Sequence, residues 1–280
     1  MTCLPLSING FRLVMRIHAI SDLHVDYAVN LAQVQSLSSA DYQDDILIVA
    51  GDLSHQQDQA EDLLTILRER FSRVFFTPGN HDLWVEDNDV EGGGASSLDR
   101  LRELQILCQR LEVEMAPAAV GEEVWILPLY GWYEPAFSDT LHADTPVERI
   151  SRRWADFRRC RWPSDLFDDG ERCRHFAALN EQHLSPPPGN RVVTFSHFLP
   201  RPELLPPVKH LRFKELPRLS GTLRLEAQLR AAGSSLHIFG HTHIPWDECI
   251  DGVRYLQNPL AYPHERKRRG QQEIRLVEVG

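Results

Sequence analysis

Short, almost unbroken apolar runs recur along this chain, and most end at glycine or a small polar residue. Residues 15–20, 45–50, 73–77, 124–129 and 191–196 are such runs. Their length and β-branched character predict strands buried on both faces. Residues 236–239, 253–256 and 273–279 read as further strands. Between the early runs the period changes. Residues 60–71 place Leu63, Leu64, Ile66 and Leu67 at helical spacing. Residues 97–111 set Leu98, Leu101, Leu104, Leu107 and Leu111 along one face, which reads as core and not as a partner-binding stripe. A weaker helical stretch covers residues 30–38. Strands alternating with helices predict an α/β fold.

From residue 130 the pattern loosens. Residues 130–184 carry Trp132, Trp154, Trp162 and many arginines with little periodicity. Residues 199–219 are rich in proline and basic side chains, which predicts a loop or lid. The expectation is one domain over residues 15–280, with 130–184 and 199–219 as insertions forming a cap or rim. Residues 1–14 read as an extension, and Met15 is an equally good start. Ser185-Pro186-Pro187-Pro188-Gly189 reads as a rigid connector.

Polar residues cluster where the strands end: Asp22-Leu23-His24, Gly51-Asp52, Gly79-Asn80-His81-Asp82, Ser196-His197 and Gly240-His241-Thr242-His243. Strand geometry predicts that residues 22 and 24 share one face, and likewise 241 and 243. Glycine beside a ligand lets the backbone turn tightly. Asp, Asn and His are donors for divalent metals of intermediate hardness. Their number exceeds what one ion needs, so two metals sharing a carboxylate are expected. Such a pair is suited to splitting phosphate esters.

This order of motifs resembles that of the calcineurin-like metallophosphoesterase superfamily: DxH, GD, GNH followed by an acid, a lone His after a strand, and GHxH. The resemblance spans residues 22 to 243 and implies a four-layer αββα sandwich of two mixed sheets. It further implies that Asp22, His24 and His243 hold one metal, that Asn80, His197 and His241 hold the other, and that Asp52 bridges them. Manganese or iron is expected, with zinc or nickel acceptable. A hydroxide between the metals would attack phosphorus in line, and His81 would assist the leaving oxygen. The sequence departs from the pattern at His55, which stands where many relatives carry an Asp that orients this histidine. Asp26 and Asp82 read as turn-capping or supporting residues rather than ligands.

The implied function is hydrolysis of phosphate mono- or diesters, with a small soluble nucleotide or phosphorylated metabolite as substrate. The competing reading is a catalytically silent scaffold of the same fold that binds a protein partner. On the substrate side, Trp132 and Tyr133 could line a pocket, although packing under the insertion is the plainer reading. Arg152 and Arg153, or Arg158 and Arg159, could hold a second phosphate or simply face solvent. His55 is a candidate substrate contact or a loop residue. His18 and His237 lie inside strand runs and read as packing positions.

Composition narrows the partners. Forty acidic against thirty basic residues give a net charge of −10 over 280 residues, which argues against nucleic acid and anionic membrane. The basic run 264–269 reads as a solvated turn before the last strand. The acidic stretch 86–91 leads into three glycines. Five cysteines without a CxxC pair suit a reducing cytoplasm. No apolar run is long enough to span a membrane.

Overall fold

Alternation along the strands decides the architecture. The computed structural model describes residues 15–85, 95–137, 150–271 and 273–279. The predicted extension 1–14, the acidic loop and its glycines, and residues 138–149 of the first insertion lie outside the described residues. In strand β2 (Ile46–Ala50), Ile46, Ile48 and Ala50 face a second sheet, whereas Leu47 and Val49 face helices. Each strand buried on both sides in this way demands a layer on either face.

The first sheet runs in the order β11-β1-β2-β3-β4. It comprises β1 (Ile17–Ile20), β2, β3 (Arg73–Thr77) and β4 (Val113–Glu114) in parallel, with β11 (Val277–Glu278) antiparallel to β1. The second runs β5-β6-β7-β8-β10-β9. In it β6 (Val124–Pro128), β7 (Arg191–Phe195), β8 (Ser234–Phe239) and β10 (Val253–Gln257) are parallel. The edge strands β5 (Ala118–Val120) and β9 (Trp246–Ile250) are antiparallel.

Helices α1 (Ala28–Gln35), α2 (Gln57–Arg70) and α3 (Ser97–Arg110) cover the first sheet, where Leu63, Leu64, Leu67 and Leu107 meet Val49, Val74 and Phe76. On the far side, α5 (Asp169–Glu181) and α6 (Leu223–Ala231) cover the second sheet, with α4 (Asp156–Arg159) nearer the site. The result is the expected four-layer αββα sandwich of two mixed sheets.

Three details differ from the sequence reading. The first insertion carries α4 and α5, which its mixed polarity had hidden. The basic run 264–269 is not a turn but most of helix α7 (Pro263–Arg269), started by Pro263 and ended by Gly270 in the left-handed region. The predicted strand 273–279 shrinks to Val277–Glu278. The lid segment 199–219, expected as a loop, holds three short 3-10 turns.

Candidate metal centre

All the predicted ligands meet at the C-terminal ends of β1, β2, β3, β7 and β8, the edge where parallel α/β sheets place their sites. The reason they meet is not the strand pleat. Asp22, His24, His241 and His243 lie beyond their strands, and each adopts a positive φ, at 53°, 42°, 74° and 56°. Asp52 joins them at 57°. Non-glycine residues rarely enter this region without compensation, and such strain collects at functional sites. The motif glycines serve close approach. A Cβ on Gly79 would collide with Asp52 Oδ1, and one on Gly51 would collide with His197 Nδ1.

The ligand atoms form two groups. Asn80 Oδ1 is 3.1 Å from His197 Nε2 and 3.1 Å from His241 Nδ1, and those nitrogens are 3.2 Å apart. In the second group His24 Nε2 is 2.9 Å from His243 Nε2, which is 3.5 Å from Asp22 Oδ1. Asp52 Oδ2 reaches toward both, 3.6 Å from His24 Nε2 and 3.5 Å from His197 Nε2. Asp22, His24, Asp52 and His243 offer ligand atoms all within 4.8 Å of one another.

Tautomers decide what this means. His197 Nδ1 lies 3.0 Å from the Ala50 carbonyl, and His241 Nε2 lies 2.7 Å from the Leu219 carbonyl. Those carbonyls only accept, so the protons sit there. The facing nitrogens, Nε2 of His197 and Nδ1 of His241, then present lone pairs to each other and to the Asn80 oxygen. His243 Nδ1 lies 2.7 Å from Glu265 Oε2 and its Nε2 faces His24 and Asp22; against the effect of burial, the charge of Asp22 and the bond to Glu265 push this histidine up. Converging lone pairs repel unless a cation lies between them. Burial pushes His197 and His241 down to about 3, so protonation does not relieve the conflict near neutral pH. Burial, then the charges of Asp82 and Asp22, holds Asp52 well above the usual carboxylate range. The donor set fits two divalent ions.

The surrounding side chains supply what the ligands cannot. Asp82 accepts the backbone N–H groups of Asp52, Leu53 and Gly79 at 2.8–2.9 Å. It therefore ties two ligand loops together, which settles it as a turn-capping residue. It does not orient His81. That ring stacks on Trp84 with centroids 3.7 Å apart, and its Nε2 lies 3.4 Å from the Tyr262 hydroxyl. Tyr262 also packs against His24 and His243. Tyr262, Glu265, Trp84 and Asp156 were missed from sequence. Pro263 and Gly270 mark α7 and could have drawn attention to Tyr262 and Glu265.

A cavity of about 650 Å³ opens over the ligands. Trp154, Leu211, Phe213 and Leu216 line one side, and Tyr262, Glu265, Arg268 and Arg269 another. Arg153 lines it too, its guanidinium 5.2 Å over the Phe213 ring. Arg152 is exposed and outside the lining. His55 is also outside it, with its ring 5.8 Å from Trp84. Trp132 and Tyr133, candidate substrate contacts whose plainer reading is packing under the insertion, lie outside this cavity lining. They are 0% and 1% exposed, and Trp132 packs with Tyr133, Trp162 and Phe198 beneath the insertion. Aromatic surface of that size is worth more to the core than to the cavity wall.

A double-sheet sandwich with two buried Asp/Asn/His groups at its strand ends defines a metallophosphoesterase-type architecture. The calcineurin-like phosphoesterase family model matches residues 15–245, and the chain belongs to that family. It is a phosphoric ester hydrolase. An acyl-carrier-protein phosphodiesterase, PptH, of Mycobacterium tuberculosis is 30% identical over 265 residues, covering 90% of this chain and 79% of that protein. The crystal structure of phosphopantetheinyl hydrolase (PptH) from Mycobacterium tuberculosis superposes with a TM-score of 0.77 at 26% identity. That match covers 94% of this chain and 95% of the other. No helix among the described residues is long and apolar enough to cross a membrane.

Proposed function

We propose that this chain is a two-metal phosphodiesterase that removes phosphopantetheine from an acyl-carrier protein. The observation that carries the proposal is the cavity, which opens over the ligand groups and is lined by both apolar and basic side chains. Its Trp154, Leu211 and Phe213 side suits an extended arm with methyl and methylene groups. Its Arg153, Arg268 and Arg269 suit the phosphate and an acidic partner surface. The similarity to PptH points to the same substrate class. The small soluble nucleotide or phosphorylated metabolite expected from sequence gives way, in this reading, to the arm of a carrier protein, met in the cytoplasm.

Asp22, His24 and His243 would hold one ion and Asn80, His197 and His241 the other, with Asp52 shared. This mixed oxygen and nitrogen set accepts manganese, iron, zinc or nickel, and the family resemblance makes manganese or iron the first choice. The ions would supply charge stabilisation of the phosphoryl oxygens and activation of water. His81 is placed by Trp84 and by the Asp52 carboxylate, which accepts its backbone N–H at 3.0 Å. Its imidazole gives a proton to the departing serine oxygen of the carrier. Water adds to phosphorus as the phosphorus–serine oxygen bond breaks, the proton the water sheds replaces the one His81 gave, and the products are phosphopantetheine and the free serine hydroxyl.

The test is mass spectrometry of a holo carrier protein incubated with metal-stripped, manganese-reconstituted enzyme. Conversion to the apo carrier is expected, with loss of about 10²- to 10³-fold in rate for His81→Ala. An unchanged carrier, alongside rapid hydrolysis of bis-p-nitrophenyl phosphate, would refute the carrier substrate and leave a small-diester enzyme.

A further inference from the structure

We infer that Asp156, carried by the first insertion, is the positioning residue for the Asn80 metal ligand. An amide is an ambiguous ligand, because its oxygen can bind a cation and its nitrogen cannot. Something must therefore decide which end faces the histidines. Asp156 does so: its Oδ1 accepts from Asn80 Nδ2 at 2.9 Å, which turns the amide oxygen toward His197 and His241. The contact joins positions 76 residues apart and is buried.

The same carboxylate holds two other parts of the site. Trp84 Nε1 donates to Oδ1 at 2.7 Å, and Trp84 is the platform on which His81 stacks. Trp154 Nε1 donates to Oδ2 at 2.7 Å, and Trp154 forms part of the cavity wall against Phe213. Every one of these partners is a donor, and a carboxylate is acceptor-only, so the charge form and the surroundings agree. Asp156 is 3% exposed, with no arginine or lysine hydrogen-bonded to it among the described residues. Losing a group that orients a metal ligand in this way typically costs about 10- to 100-fold in metal affinity. The insertion is thus part of the metal site and not only a rim around it.

The inference rests on the two-metal reading, and metal binding separates the two. Asp156→Asn is isosteric and presents a competing NH₂ to the Asn80 amide. The expected result, by titration of stripped protein with Mn²⁺, is one site of unchanged affinity and one weakened by about 10- to 100-fold. The swap Asn80→Asp with Asp156→Asn restores the donor–acceptor pair and gives position 80 a carboxylate oxygen that needs no orienting. It should recover the second site. A role in folding alone would lower Tm in Asp156→Asn without altering the affinities of the folded protein, and that result would overturn the inference. A swap variant as weak as the single variant would overturn it too. If Asp156→Asn does not fold, the swap variant decides alone by the same criterion. Wild-type protein that takes up no manganese would instead refute the metal reading itself.

Discussion

The floor of the site and its walls are built by different rules. The floor consists of ligands set just beyond strand ends, four of them within three residues of a glycine and five held at positive φ. The walls and the residues behind them come from the insertion, the lid segment and α7, with Phe213 and Glu265 on the cavity and Asp156 buried behind it, all on ordinary helical or bend backbone. A metal ligand must be one of few residue types at a strained, crowded backbone position, so its neighbours are constrained as well. A residue that orients a ligand needs only one correctly aimed oxygen, and any helix that passes close by can supply it.

The sharpest way to break this contrast is at the shared carboxylate. Asp52→Asn should lose about 10⁴-fold in kcat on any diester, since several kcal/mol of charge stabilisation depend on both ions. A much smaller loss, measured with saturating metal, would mean that the two groups act independently.

The walls should act by smaller steps. Glu265 fixes His243 from 2.7 Å, in the manner of a carboxylate–histidine–metal relay. Glu265→Gln is expected to weaken one manganese site by about tenfold and leave the Asn80 site alone. Calorimetric titration reads both. Phe213→Ala removes apolar wall without touching a ligand. Its KM for holo carrier should rise about tenfold, because the bound arm then buries less apolar surface, while kcat for bis-p-nitrophenyl phosphate stays unchanged. A fall in that kcat would place Phe213 in the floor.

The smallest effect concerns stability. His237 is fully buried between Thr194 and Ser196, and burial pushes it down to about 3. The folded state therefore binds fewer protons than the unfolded state between that value and the ordinary 6.5. Stability conferred by the neutral ring is present above the ordinary value and is lost as pH falls below it, by at most about 1.4 kcal/mol per pH unit. Melting curves should show a shallower Tm decline between pH 6.5 and 5 for His237→Gln than for wild type.

Much of the floor could be read from the sequence because its signals were redundant. Each ligand followed an apolar run, and glycines flanked most of them. The pleat argument for Asp22 and His24 reached the right grouping for the wrong reason, since left-handed backbone rather than strand alternation brings them together. The walls were less legible. Helix α5 buries only Cys173, Phe176 and Asn180, too sparse a stripe to stand out. β9 is an edge strand with three exposed residues, so it lacked an apolar run. The charge of α7 concealed a helix whose proline and glycine ends were in plain view. Trp132 and Tyr133 looked like site residues because they follow a strand, yet their bulk is what fills the core.

The most direct test of the account is the hydrolysis of bis-p-nitrophenyl phosphate by metal-stripped protein as manganese is added in known equivalents. The two ligand groups predict no activity without metal and a plateau at two equivalents per chain. A plateau at one equivalent, or full activity without metal, would contradict it.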